Sequence, residues 1–198
     1  MRIHRLQRAV PTLLLAIALA SGSAGCGCGS SGGSGGGGTQ PAQSAPLIQP
    51  DFQALDVNPS SPTHQTPVSP RQHQERISAW FFGRATDPYH QAQFQLLNAL
   101  QADPALAGLP RQVVILGVNA VGHESGNASI CTGCAIPWLQ DAPGQSGYAA
   151  WQAQEGQLVI LDAENRIAAI FDLLTNDLAV QANYDRLRSL LIHLASLP

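Results

Sequence analysis

The sequence contains no lysine, and arginine does not make up for it. Three of the ten arginines, Arg2, Arg5 and Arg8, precede the first apolar run, leaving seven against thirteen acidic residues in the remainder. No basic surface is left to displace counterions from phosphates, so nucleic-acid binding is excluded. Long apolar runs are also missing. The longest, Leu13 to Ala20, falls far short of the ~20 residues that a membrane-spanning helix requires. Glycine and proline are sparse over most of the chain because they are gathered elsewhere. Ten of nineteen glycines lie between Gly22 and Gly38, and seven of fourteen prolines between Pro41 and Pro70. Those stretches cannot form a packed core, which confines the folded part to one domain over residues 72–198.

The start of the chain reads as an export signal, residues 1–25. A basic stretch comes first, then the apolar run, then small residues ending at Cys26. Ser23-Ala24-Gly25-Cys26 resembles a bacterial lipobox, with Ser23 where leucine is usual, and this resemblance implies lipidation at Cys26. The alternative is cleavage by an ordinary signal peptidase between Ala20 and Ala24. Residues 26–71 read as a linker. Its Gly/Ser part is a flexible coil with a reach on the order of 20 Å, and its Pro-rich part favours extended conformations without a backbone ladder. His64 and His73 have no cysteine or second histidine at ligand spacing and read as exposed linker histidines.

From there strands and helices alternate. Residues 76–83 are β-favouring and aromatic and end at a glycine. Asp87 then offers an N-cap and Pro88 suits the first helical position, with Phe94, Leu97 and Leu100 at helical spacing. Val113 to Val118 is an almost continuous apolar run, as in a parallel strand covered on both faces. Residues 119–135 read as a loop, 136–141 as a short extended piece and 148–154 as a helix. Leu158 to Leu161 and Ile167 to Phe171 flank a turn and read as a hairpin. A last helix, capped by Thr175 or Asn176, carries Val180, Tyr184, Leu187, Leu191 and Leu194 on one stripe. This order predicts an α/β, thioredoxin-like fold with a central mixed sheet flanked by helices.

Four phrases, Trp80-Phe81-Phe82-Gly83, Ile115-Leu116-Gly117-Val118-Asn119, Ile136-Pro137-Trp138-Leu139-Gln140-Asp141 and Leu158-Val159-Ile160-Leu161-Asp162, carry a family resemblance. Together they resemble redoxin-type thioredoxin-like proteins, above all the domain related to the amino-terminal part of selenoprotein P. The resemblance implies a Cys-x-x-Cys where the first strand meets its helix, since amides at a helix start stabilise a thiolate. This chain has Asp87-Pro88-Tyr89-His90 there, a degenerate version with no sulfur. It also implies a cis-proline ahead of the hairpin strand, where this chain has Gly156 or a neighbour.

One pair does have the spacing: Cys131-Thr132-Gly133-Cys134. In an exported protein it can close as a disulfide, exchange with clients or bind metal. No arginine or histidine adjoins it to lower a thiol pKa. As a staple it is worth only about 2 kcal/mol, because the loop is short. Topology predicts that the loop after the second parallel strand returns to the helix start, which would bring Cys131 and Cys134 to Asp87–His90 with His90 as a base. The expected function is thiol-disulfide exchange with protein thiol or disulfide clients through Cys131 and Cys134, by an exported, lipid-anchored protein of the bacterial envelope facing the periplasm. It involves no cofactor. The alternatives are a non-catalytic binding module in which the disulfide pins a loop, and a zinc or copper carrier using His123, Cys131 and Cys134.

Overall fold

The chain enters the fold well upstream of residue 72. The computed structural model describes residues 48–144 and 146–197, and within them strands β1 (Ala54–Asp56) and β2 (Pro67–Val68) pair antiparallel. The expected linker up to residue 71 is corrected here, because Phe52, Ala54 and Val68 are buried apolar anchors among the polar residues. The prolines that made this stretch look unstructured are compatible with it. Pro67 lies on the outermost strand and Pro70 opens a 3-10 turn, positions where a missing N–H costs little. His73 closes that turn buried, not exposed as expected, while His64 is half-buried. The expected signal peptide, Cys26 and the Gly-rich stretch lie outside the described residues.

Strand β3 (Ile77–Gly83) is buried at every position. Its alternation sends Ile77, Ala79 and Phe81 to one face and Trp80 and Phe82 to the other. Helix α1 (Pro88–Gln101) follows, then β4 (Val113–Asn119), which pairs parallel with β3 from Ile77↔Val113 to Gly83↔Asn119. A short helix α2 (Asn127–Cys131), in a stretch expected to be loop, leads to β5 (Trp138–Gln140), parallel to β4. Helix α3 (Gly147–Trp151) stops at Gln152, whose φ of 50° is left-handed. Strands β6 (Gln157–Leu161) and β7 (Ile167–Asp172) form the closing hairpin. Helix α4 (Gln181–Ser196) ends the described chain. The seven strands lie in the order β2-β1-β5-β4-β3-β6-β7. Among the described residues no helix is long and apolar enough to cross a membrane.

Each face of the sheet has its own core. Phe94, Leu97 and Leu100 of α1 and Leu187, Leu191 and Ala195 of α4 pack on Ile77, Phe81, Ile115 and Trp138. Phe52 and Trp151 cover Trp80, Phe82, Leu116 and Val159 on the other face. The start of α4 departs from expectation. Thr175 and Asn176 do not cap it; both side chains donate to the Asp172 carbonyl, and the helix begins after Val180, which is exposed.

The start of α1 follows its sequence. Asp87 accepts from the Tyr89 N–H at 2.9 Å, and Pro88 occupies the first helical position. Replacing Asp87 with alanine orphans that amide and is expected to cost about 1 kcal/mol, checked by the shift in urea midpoint; no shift would mean that water caps the helix equally well.

Candidate functional site

The first candidate lies where β3 meets α1. His90 is buried, and its Nδ1 accepts the Arg84 backbone N–H at 3.0 Å, which leaves the proton of the neutral ring on Nε2. Burial holds the His90 pKa below its ordinary value despite the nearby Asp87 carboxylate. The Arg84 guanidinium stands 3.0 Å from Glu155 and 3.5 Å from Asp87. Thr86 Oγ1 and His123 Nδ1 are hydrogen bonded at 2.6 Å. The Tyr89 hydroxyl donates to the Leu173 carbonyl and the Tyr148 hydroxyl to that of Gly83. Gly156, at the position expected for the proline, has a φ of +83° and donates its N–H to Phe82 O at 2.8 Å; every described peptide bond is trans. The polar groups at this edge are thus engaged with one another. The edge contains acids, an arginine and histidines but no sulfur, so it has no nucleophile for disulfide exchange.

The second candidate is the cysteine pair, and the structure corrects its expected place. Cys131 is the last residue of α2, and Thr132 (φ −59°, ψ 119°) followed by Gly133 (φ +74°) makes a type II turn closed by Cys134 N–H to Cys131 O at 3.0 Å. Glycine is needed at that third position because of its positive φ. Such a turn brings its end Cα atoms within about 7 Å, inside the range a disulfide spans. Both cysteines are free thiols here and are buried, Cys131 at 4% and Cys134 at 1% exposure. Burial pushes the Cys131 thiol up to about 12, with the neighbouring Cys134 and Asp56 adding to it, and the Cys134 thiol up to about 11. The pair also sits at the carboxyl end of α2, the opposite of the amide-rich helix start that stabilises a thiolate.

The pair does not reach Asp87–His90. Gln95 Nε2 donates to Thr132 O at 2.6 Å, and Asn98 accepts from Ala135 N–H at 2.8 Å. Those two residues are a good two to three turns down α1 from Asp87, which puts the cysteine turn roughly 12 to 16 Å along the helix from its tip. Helix α2 is the reason. It carries the chain back down from the carboxyl edge of the sheet, so His90 cannot serve as a base for either thiol. His123 stays at the tip with Thr86, apart from both cysteines, and among the described residues no group of three His, Cys, Asp or Glu is placed to hold a metal.

Two residues that matter most to the pair came from the stretch read as linker. Asn58 Nδ2 donates to both Cys134 O (2.9 Å) and Ile136 O (2.8 Å), and its Oδ1 accepts from Ser60 N–H. Asp56, fully buried, accepts from Asn58 N–H, Thr63 Oγ1 and Trp138 N–H. The signal for them was local: Asp-x-Asn-Pro-Ser has the composition of consecutive side-chain-stabilised turns, not of a solvated coil.

No family model matches the sequence, and no curated protein matches it. Solved structures do. A candidate protein disulfide isomerase from Bacteroides thetaiotaomicron is 14% identical with a TM-score of 0.57, the match covering 76% of this chain and 89% of that one. A secreted Mycobacterium tuberculosis disulfide oxidoreductase homologous to Escherichia coli DsbE is 16% identical with a TM-score of 0.54, covering 72% and 96%. A thioredoxin-family thiol:disulfide interchange protein from Chlorobium tepidum is 17% identical with a TM-score of 0.52, covering 76% and 99%. With its mixed sheet, α1 and α4 on one face and α3 on the other, this chain has the thioredoxin-like fold.

Proposed function

We propose that this chain is an exported thioredoxin-fold protein of the bacterial envelope that binds protein clients without turning over their disulfides. It is akin to the selenoprotein P amino-terminal domain and is tethered through Cys26. The observation that carries the reading is the placement of sulfur: none at the start of α1, and two buried thiols with pKa values well above neutral. A thiol is a useful nucleophile only as thiolate, and at neutral pH both are held protonated. The sequence order of signal, tether and domain supports export, and the DsbE homologue with the same architecture is described as secreted. Asp87-Pro88-Tyr89-His90 is on this reading the remnant of a redox motif, now a capped helix start and part of a client-facing edge.

Thiol-disulfide exchange through Cys131 and Cys134 is the second reading, favoured by the type II turn, which holds the pair where a disulfide can close. One experiment separates the two. Wild type and the Cys131→Ser/Cys134→Ser variant are compared as catalysts of insulin disulfide reduction by dithiothreitol. Equal rates, both at the uncatalysed level, are expected, together with a stability difference of at most about 2 kcal/mol between the oxidised wild type and the variant. Turnover by wild type that disappears in the variant would establish the exchange reading instead.

A further inference from the structure

We propose that the β1–β2 hairpin, residues 54–68, is a hinged cover over the Cys131–Cys134 dithiol, latched by Asn58, and that the pair meets an external disulfide only when this hairpin lifts from β5. The inference goes beyond the proposed function, because even a purely structural disulfide has to form through the same opening.

The cysteine turn lies between two walls of different strength. On one side Gln95 and Asn98 hold it from α1, a fourteen-residue helix whose Phe94, Leu97 and Leu100 are fully buried. On the other side stands the hairpin. Val57, Pro59, Ser60 and His64 line a groove together with Cys131, Thr132 and Gly133. The attachment of this wall is slight. β1 meets β5 at two paired positions, Leu55↔Gln140 and Asp56↔Leu139. Beyond these come Val57 N–H to Trp138 O at 2.9 Å and Trp138 N–H to Asp56 Oδ1 at 3.2 Å. Among the described residues, the hairpin side chain hydrogen bonded to the cysteine turn is Asn58, whose amide donates to Cys134 O and, just past the turn, to Ile136 O.

Outside this tip the segment is firmly rooted. Phe52 packs edge-on to Trp80 at 5.6 Å and Trp151 at 5.2 Å, and Val68 is buried at the far end. Two ends anchored by buried apolar side chains and a middle held by hydrogen bonds, with no buried apolar side chain between Ala54 and Val68, are the conditions for local opening without global unfolding. Opening lets solvent reach the thiols and lessens the burial that raises their pKa, and it takes away the field of Asp56 at Cys131. A disulfide-bearing partner is then the oxidant. One thiolate attacks a partner sulfur and breaks the partner S–S bond, giving a mixed disulfide. The second thiolate displaces it, the Cys131–Cys134 bond forms, and the two protons end on the two partner thiols. The type II turn already keeps the two Cα atoms within about 7 Å, inside the range a disulfide spans.

The test is a time course of iodoacetamide labelling of the reduced full-length protein, read by mass spectrometry, beside hydrogen exchange of the Val57 amide. Asn58→Ala removes two hydrogen bonds to buried carbonyls, and both labelling and Val57 exchange are expected to rise together by about 10- to 100-fold, with amide exchange in β3 unchanged. In wild type, labelling and Val57 exchange are expected to share a weak dependence on urea, which tests the cover even if the variant folds poorly. Three results would overturn the proposal: Val57 exchange that rises while labelling does not, labelling that rises only in step with β3 exchange, or no change in either. None of these outcomes bears on insulin reduction, so the cover and the binding reading fail separately.

Discussion

Trp138→Ala is expected to lower the unfolding free energy by about 3–5 kcal/mol, the range for deleting a fully buried large aromatic. Trp138 is 0% exposed, with its ring 4.7 Å from that of Phe94 and 6.4 Å from that of Phe81. Its Nε1–H donates to Asn127 Oδ1 at 2.9 Å, an oxygen that also accepts from the buried Asn119. The indole therefore joins the core to the polar residues at the carboxyl edge, and its loss leaves both a cavity and a weakened network. The space for it comes from Gly117 across the β4–β5 pair, where an added Cβ would stand 2.1 Å from Trp138 Cε3. Gly117→Ala should consequently be far less damaging in the Trp138→Ala background than in wild type. Urea denaturation of the four proteins measures both effects, and a Trp138→Ala loss below about 1 kcal/mol or strict additivity of the two substitutions would refute this account.

The second large effect is a dependence on acid. His73 is 8% exposed, its ring edge-on to Trp80 at 5.6 Å, and neither ring nitrogen has a hydrogen-bond partner among the described residues. Burial, helped by Arg76, lowers its pKa from 6.5 to about 4. In the unfolded chain the ring takes up its proton near pH 6.5, so between pH 6.5 and 4 the unfolded state binds more protons than the folded one. Stability from this residue is thus whole above pH 6.5, declines as the pH falls towards 4, and is flat below. The shift corresponds to about 3 kcal/mol. His73→Phe keeps a flat ring against Trp80 and cannot titrate. The difference in unfolding free energy between pH 7.5 and pH 4 should shrink by about that amount relative to wild type. An unchanged difference would show that other groups set the acid sensitivity.

Legibility in the sequence followed the physics of each segment. β3, α1 and β4 were readable because their apolar patterns and the Asp87-Pro88 start are local signals with one structural solution. β1 and β2 were not, since three- and two-residue strands gain nothing until a sheet edge is there to pair with. The prolines and serines between them look the same in a turn as in a tether. The α4 cap was misplaced for a related reason, because Thr175 and Asn176 had a competing partner in the Asp172 carbonyl. At the candidate site the Cys-x-x-Cys spacing was plain, but its depth was not. Five residues of α2 decide it, and they carry no long apolar repeat.

The order β3, α1, β4, β5, α3, β6, β7, α4 and the absence of thiols at the start of α1 were determined by the sequence alone, because each depends on residue identity and near-neighbour spacing. The burial of Cys131 and Cys134, their separation from His90 and the reach of Asn58 onto Cys134 and Ile136 were decided only in three dimensions. Whether a thiol is reactive depends on the solvent and dipoles around it, and Asn58, 76 positions before Cys134 in the chain, supplies part of that surrounding here.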